Sequence, residues 1–358
     1  MEQGNYQEVQ RALDAQRHVL AEKIVARQYE LQPGIWRRYG DAGWQKSVRD
    51  AAYHLSYLAQ AIAVADASLF IDYVGWAKVL FAGLGFPEDV LATTLRCTRE
   101  ALEETLPHEL ASLAREYVEA GLAHVDRAPS SLPTFVDADS PLGDLARRYL
   151  EALVQGERHV ASQLILDAVE DGVSVKDLYL HVFQRCQYEI GRLWQMNRVS
   201  VAQEHYCTAA AQLIMSQLYP YIFATEKTGR RLVAACVGGE LHEIGSRMVA
   251  DFFELEGWDT YYLGANSPAE AIVRAVEERR ADVLGISATM TFHLRQVAEL
   301  IGRVRASDAG ARVKILVGGY PFRAMPDLWR RLGADGWARD AQGAVDTANR
   351  LIAEGAQR

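Results

Sequence analysis

Residues 232–245 read Leu-Val-Ala-Ala-Cys-Val-Gly-Gly-Glu-Leu-His-Glu-Ile-Gly. Six apolar residues of strand length run into a glycine pair, and a helical pattern follows at once. Working outward, apolar runs at 260–263, 283–287, 313–317 and 336–338 alternate with helical patterns. Such alternation predicts parallel βαβ units with right-handed crossovers, a doubly wound flavodoxin-like (Rossmann-like) sheet filling 228–358. In these sheets ligands bind beyond the carboxyl ends of the strands, at a topological switch point.

Upstream the pattern is helical throughout. Residues 1–126 carry apolar side chains at helical spacing, among them Leu55, Leu58, Ala59, Ile62, Leu69, Phe70, Tyr73 and Val74, with breakers at 32–34, 40–43 and 83–87. Residues 127–142 hold three prolines and several small polar residues and read as a linker. Residues 143–227 have room for four helices and read as a small bundle. The fold class is therefore mainly α plus α/β.

Bulk properties narrow the function. The 358 residues carry a formal net charge of −9, which argues against a broad nucleic-acid footprint. No apolar run reaches the ~18 residues of a membrane span, and the first residues lack a secretory pattern. The four cysteines (Cys97, Cys186, Cys207, Cys236) form no C-x-x-C pair, so a reduced, cytoplasmic protein is expected. Cys97 lies in an amphipathic pattern and reads as a small core hydrophobe.

The loop after the first strand places His242 at the carboxyl edge of the sheet, where an imidazole can hold a transition metal. Glu240, two residues earlier, would accept the other ring N–H and fix the tautomer. Gly245 would let a bulky group approach the helix start. The third strand exits through Ser287-Ala288-Thr289 and the fourth through Gly318-Gly319. Forty-one residues separate Gly245 from Ser287, and 28 separate Thr289 from Gly318. All three loops face one edge, and their small residues would open a slot between strands.

This E-x-H-x-x-G, S-x-T and G-G set resembles the cobalamin-binding domain of corrinoid proteins. The resemblance implies that His242 ligates cobalt from below in place of the cofactor's own base, while the detached nucleotide tail fills the slot beside Ser287, Thr289, Gly318 and Gly319.

A second constellation is Trp194, Glu204 and His205. Ser200 with Gln203 forms a capping-box pattern, so a helix should start there with Glu204 and His205 in its first turn. Trp-x9-Glu-His is similar to the signature of CarH-type cobalamin photoreceptors. That likeness implies that Trp194 and Glu204 cover the 5′-deoxyadenosyl group, with His205 the upper cobalt ligand after photolysis. The N-terminal helices lack a winged helix and look like a sensor-globin-type domain, and the whole arrangement resembles the photocobilins. From that resemblance comes a site for biliverdin as second chromophore, with walls from Tyr53, Tyr57 and Trp76, His54 on the pyrroles, and Arg38 on a propionate. His54 and Tyr57 are three apart and share a helix face.

The leading expectation is therefore a non-enzymatic light sensor. It would use adenosylcobalamin, change homo-oligomeric state on illumination, and signal to a partner protein, without nucleic acid or membrane. The runner-up is a corrinoid carrier of a methyltransferase system, whose upper face must stay open to a methyl group. The remaining histidines (18, 108, 124, 159, 181 and 293) show no ligand spacing, and His293 is placed at the corrin rim.

Overall fold

The computed structural model describes residues 2–356, in two compact units, Met1–Leu132 and Pro133–Arg358. The first unit is all-helical. Its long helix Glu2–Leu31 packs with Gly40–Ala63, Asp89–Thr105 and His108–Val125, and Ser68–Gly83 packs on these last three. In Asp89–Thr105, Leu91, Leu95, Thr98 and Leu102 fall at three- and four-residue steps and all are buried. Gly40 breaks the helical run as expected, its φ of 59° separating the turn Arg37–Tyr39 from the helix Gly40–Ala63, whereas Gly43 lies inside that helix.

The second unit begins with the proline-rich segment. The Phe135 N–H donates to Glu189 Oε2 at 2.8 Å, and Val136 and Leu142 pack on the unit's core. Four helical runs follow: Gly143–Val154, Arg158–Glu170, a continuous run over 175–195, and Val201–Gln217. The third run passes through a π-helical turn at Leu178–Phe183, which carries the buried Tyr179 and Phe183. Its last part, Gln184–Gln195, holds a buried ion pair between Glu189 and Arg192 at 2.6 Å.

The sheet has five parallel strands: β1 (Arg231–Cys236), β2 (Asp259–Gly264), β3 (Val283–Ser287), β4 (Lys314–Gly318) and β5 (Gly336–Trp337). Their order is β2-β1-β3-β4-β5, so the direction of winding reverses between β1 and β3. β1 is flanked on both edges, which is why 232–236 is uninterrupted apolar sequence and fully buried. Helices Ile244–Leu255 and Ala341–Ala356 share one continuous apolar core with the bundle, where Tyr179 and Phe252 lie 6.1 Å apart between ring centroids. The strands predicted from sequence agree with these to within two residues at each end. Among the described residues no helix is long and apolar enough to cross a membrane.

Candidate functional site

The register brings the motif together. Cys236 pairs with Ser287, and Ser287 with Gly318, so three strands end in one row at the carboxyl edge. The loop carrying His242 leaves β1 at the β1/β3 reversal.

Glu240 lies beneath this loop. It is fully buried, whereas the His242 side chain is 59% exposed. Glu240 Oε1 accepts the His242 ring Nδ1–H at 2.5 Å and the His242 main-chain N–H at 3.0 Å. Glu240 Oε2 accepts the N–H groups of Thr289 at 2.6 Å and Met290 at 3.0 Å, and stands 3.1 Å from His293 Nδ1. Burial alone would raise this carboxyl. Hydrogen bonds from His242, His293 and the main chain outweigh burial and hold it far below the ordinary carboxylate range. Its bond to Glu240 lifts the His242 imidazole above its ordinary value, against burial, and the charges of Glu240 and Glu204 add to that. With Nδ1 committed to a carboxylate, Nε2 is the nitrogen left for a metal.

Further residues pin the loop. The Cys236 thiol donates to the His242 carbonyl at 3.7 Å. Asn266, after β2, accepts the Gly239 N–H at 2.7 Å and donates its own N–H to the Glu240 carbonyl at 2.9 Å. Glu243 accepts the Ala265 N–H at 3.0 Å and Gln212 Nε2–H at 2.7 Å, joining the loop to helix Val201–Gln217. Cys236, Glu243 and Asn266 were not singled out from sequence. The signal available in the sequence for Asn266 was an asparagine two residues after Gly264 at a strand's carboxyl end, and in the structure it takes a left-handed φ of 49°.

The small residues leave room where a bulky group would approach. A Cβ built on Gly245 meets no atom within 4 Å, and one on Gly318 meets only the Ala338 carbonyl at 3.8 Å. Ser287 and Thr289 are half-buried beside them, and Gly319 has a left-handed φ of 107°. Among the described residues no three His, Cys, Asp or Glu side chains are arranged to hold a metal ion. A metal taken by His242 must therefore bring most of its ligands with it, as a corrin does. The site fits such a group: His242 would hold the cobalt, and Gly245, Ser287, Thr289, Gly318 and Gly319 would border the nucleotide tail.

The other sequence candidates fare differently. The capping box is formed, with Ser200 Oγ accepting the Gln203 N–H at 3.2 Å and Gln203 Oε1 accepting the Ser200 N–H at 3.0 Å. His205 in the first turn is 74% exposed, with Nδ1 on Glu204 Oε2 at 2.6 Å. Trp194 is half-buried near the end of Gln184–Gln195. In the N-terminal unit Tyr57 stacks on Tyr73 at 3.7 Å and Trp76 on Tyr73 at 5.9 Å, while His54 Nδ1 bonds to the Tyr73 hydroxyl at 2.6 Å. Burial pushes the His54 imidazole down to about 4. These rings pack on one another around Tyr73. Tyr53 is exposed, and Arg38 is exposed with its guanidinium on the neighbouring Tyr39 hydroxyl. His293, expected at the corrin rim, is instead buried against Glu240.

A switch-point imidazole backed by a buried carboxylate, with glycine-lined space beside it and a helical bundle in the same unit, defines a corrinoid-binding protein. Comparisons with known proteins agree. A family model described as a B12 binding domain matches residues 230–346, and a second B12 binding domain model matches 145–219. Dimethylamine corrinoid protein 2 of Methanosarcina mazei is 31% identical over 166 residues, 46% of this chain and 74% of that protein. A corrinoid protein of Desulfitobacterium hafniense is 26% identical over 207 residues, 56% of this chain and 94% of that one. The solved monomethylamine corrinoid protein of Methanosarcina barkeri superposes with a TM-score of 0.53 at 21% identity, covering 59% of this chain and all of that one, a likeness of fold. The chain belongs to the B12-binding corrinoid proteins.

These relatives overturn the light-sensor reading. They are named as corrinoid proteins, the Methanosarcina ones as dimethylamine corrinoid proteins, and none of these is named as a photoreceptor. The physical reason for the misreading lies in helix 201–217. Trp194 stands near the end of one helix and Glu204 and His205 in the first turn of the next, so the Trp-x9-Glu-His spacing is that of an ordinary helix–turn–helix with a capped second helix.

Proposed function

We propose that this chain is a corrinoid carrier of a methyltransferase system. The observation that carries the reading is the His242–Glu240 pair at the β1/β3 switch point, in a chain whose relatives are named as dimethylamine corrinoid proteins. Bound cobalamin would supply a cobalt centre that accepts and gives up a methyl group. The chain's own residues do the rest. His242 would hold the cobalt through Nε2. Glu240 holds the ring's tautomer and orientation. The glycine-lined edge admits the tail and anchors the cofactor against loss between transfers. The upper ligand on this reading is methyl rather than 5′-deoxyadenosyl. The chain completes no turnover alone, and its partners are two methyltransferases, one that loads the methyl group and one that removes it.

The test uses the full chain loaded with hydroxocobalamin, reduced, and treated with methyl iodide while the absorption spectrum is recorded. Full conversion to an alkylated corrinoid is expected. The methyl group should then pass to a thiol when a methylcobalamin:thiol methyltransferase is added, and stay in place without it. A loaded chain that resists alkylation, or keeps its methyl group in the presence of the transferase, overturns the proposal.

A further inference from the structure

The segment after β4 carries a cation that the fold holds in place and leaves without an anion. Gly319 opens the short turn Tyr320–Ala324, and Arg323 stands four residues on, half-buried. Its guanidinium lies 5.3 Å from the centre of the Tyr320 ring and 5.2 Å from that of Tyr188, on helix Gln184–Gln195. Tyr188 is itself packed on Phe135 of the proline-rich segment, at 5.6 Å between centroids. Three stretches of chain therefore fix one guanidinium. Stacking on ring faces uses the plane of the group and leaves its N–H edge open. Among the described residues that edge meets no carboxylate and no other acceptor. Side chains on a helical turn lean toward its N-terminal end, which here is Gly319, at the edge that borders the nucleotide tail. The tail of cobalamin carries a phosphodiester, whereas the amide side chains of the corrin are neutral.

We propose that Arg323 binds the phosphodiester of the corrinoid's nucleotide tail through this open edge, with Tyr188 and Tyr320 holding the guanidinium ready. The chain thereby selects corrinoids that carry the phosphate over truncated ones that lack it. The inference rests on the corrinoid entering by this edge of the sheet, and needs no assumption about methyl transfer.

The test titrates the full chain with three corrinoids: hydroxocobalamin, cobinamide phosphate, which keeps the phosphate without the base, and cobinamide, which lacks both. In Arg323→Gln the affinity for the two phosphate-bearing corrinoids should fall about tenfold or more, and that for cobinamide should stay within about twofold of native. Arg323→Lys keeps the charge without the stacked fork and should fall between native and Arg323→Gln. Arg339 is an exposed cation just after β5, at the same edge. Arg339→Gln should leave all three affinities within about twofold of native, because an exposed charge acts only through a screened field. Equal losses for all three corrinoids in Arg323→Gln would show that the residue only joins the bundle to the sheet, and overturn the proposal. Unchanged affinities in that variant, or the same selective loss in Arg339→Gln, overturn it too. His242→Ala run alongside separates the two claims: if it weakens none of the three corrinoids, the lower-ligand assignment itself has failed, whatever Arg323 does.

Discussion

Gly319 backs onto the carbonyl oxygen of Ala288, so closely that a Cβ at 319 would lie 2.0 Å from it. The contact locks the exit of β4 against the exit of β3, and it works only with glycine because the backbone also takes a φ of 107°. Gly319→Ala should cost about 2–5 kcal/mol through backbone strain and overpacking. Gly318→Ala meets only the Ala338 carbonyl at 3.8 Å and should fold nearly as well as native. Its methyl group would narrow the edge where the tail is expected, so its hydroxocobalamin affinity should fall. Urea unfolding and cofactor titration of the pair check this, and equal destabilisation by both would contradict it.

Glu240→Gln replaces a carboxylate that takes donors on both oxygens with a group that accepts on only one. The amide's N–H bonds would oppose either those of His242 or those of Thr289 and Met290. Losing the partner that orients a metal-binding imidazole typically costs ~10–100-fold in affinity. A drop of that size is expected in hydroxocobalamin titrations, and native affinity in the variant would show the carboxylate to be dispensable.

Asp251 gives a pH dependence. It is buried on helix Ile244–Leu255, accepts the Tyr179 hydroxyl at 2.8 Å, and lies 3.9 Å from the Arg247 guanidinium. Burial pushes its carboxyl up to about 6 from 3.8, and Tyr179 and Arg247 only partly offset it. The native chain therefore keeps a proton that the unfolded chain has released between those values. Stability from this group is full below pH 3.8 and is lost as pH rises through 6. At about 1.4 kcal/mol per pKa unit the whole effect is on the order of 2–3 kcal/mol. Asp251→Asn still accepts from Tyr179 and cannot titrate. It should flatten the stability slope across that range and be at least as stable as native at neutral pH. Chemical denaturation at a series of pH values decides it, and an unchanged slope would assign the effect elsewhere.

Ser200→Ala removes the side chain that accepts the Gln203 N–H at the start of Val201–Gln217. A loss of about 1 kcal/mol is expected from an N-cap of this kind. Calorimetry measures it, with no change in cofactor spectrum expected because His242 lies on another element.

Much of the fold was legible because its signals are local. Five apolar runs of strand length, each followed by a helical pattern, gave the sheet to within two residues. The Ser200–Gln203 capping box was also readable, since both partners lie within one turn. The light-sensor reading went wrong for a related reason. Spacing along a chain says nothing of where a side chain points, and His205 extends into solvent with its ring on Glu204. The aromatics of the N-terminal unit read the same either way, because a wall for a ligand and a stack around Tyr73 have the same composition.

From the sequence alone came a parallel sheet with a histidine at its carboxyl edge and a carboxylate two residues away to hold it. Both features depend on near neighbours and on the periodicity of strands and helices. Tertiary structure alone decided what the carboxylate's second oxygen would meet. The order β2-β1-β3-β4-β5 brings Thr289, Met290 and His293 beneath residue 240 from about fifty positions away. Contacts between adjacent parallel strands join segments separated by a whole crossover helix, and no local pattern records which segments will meet.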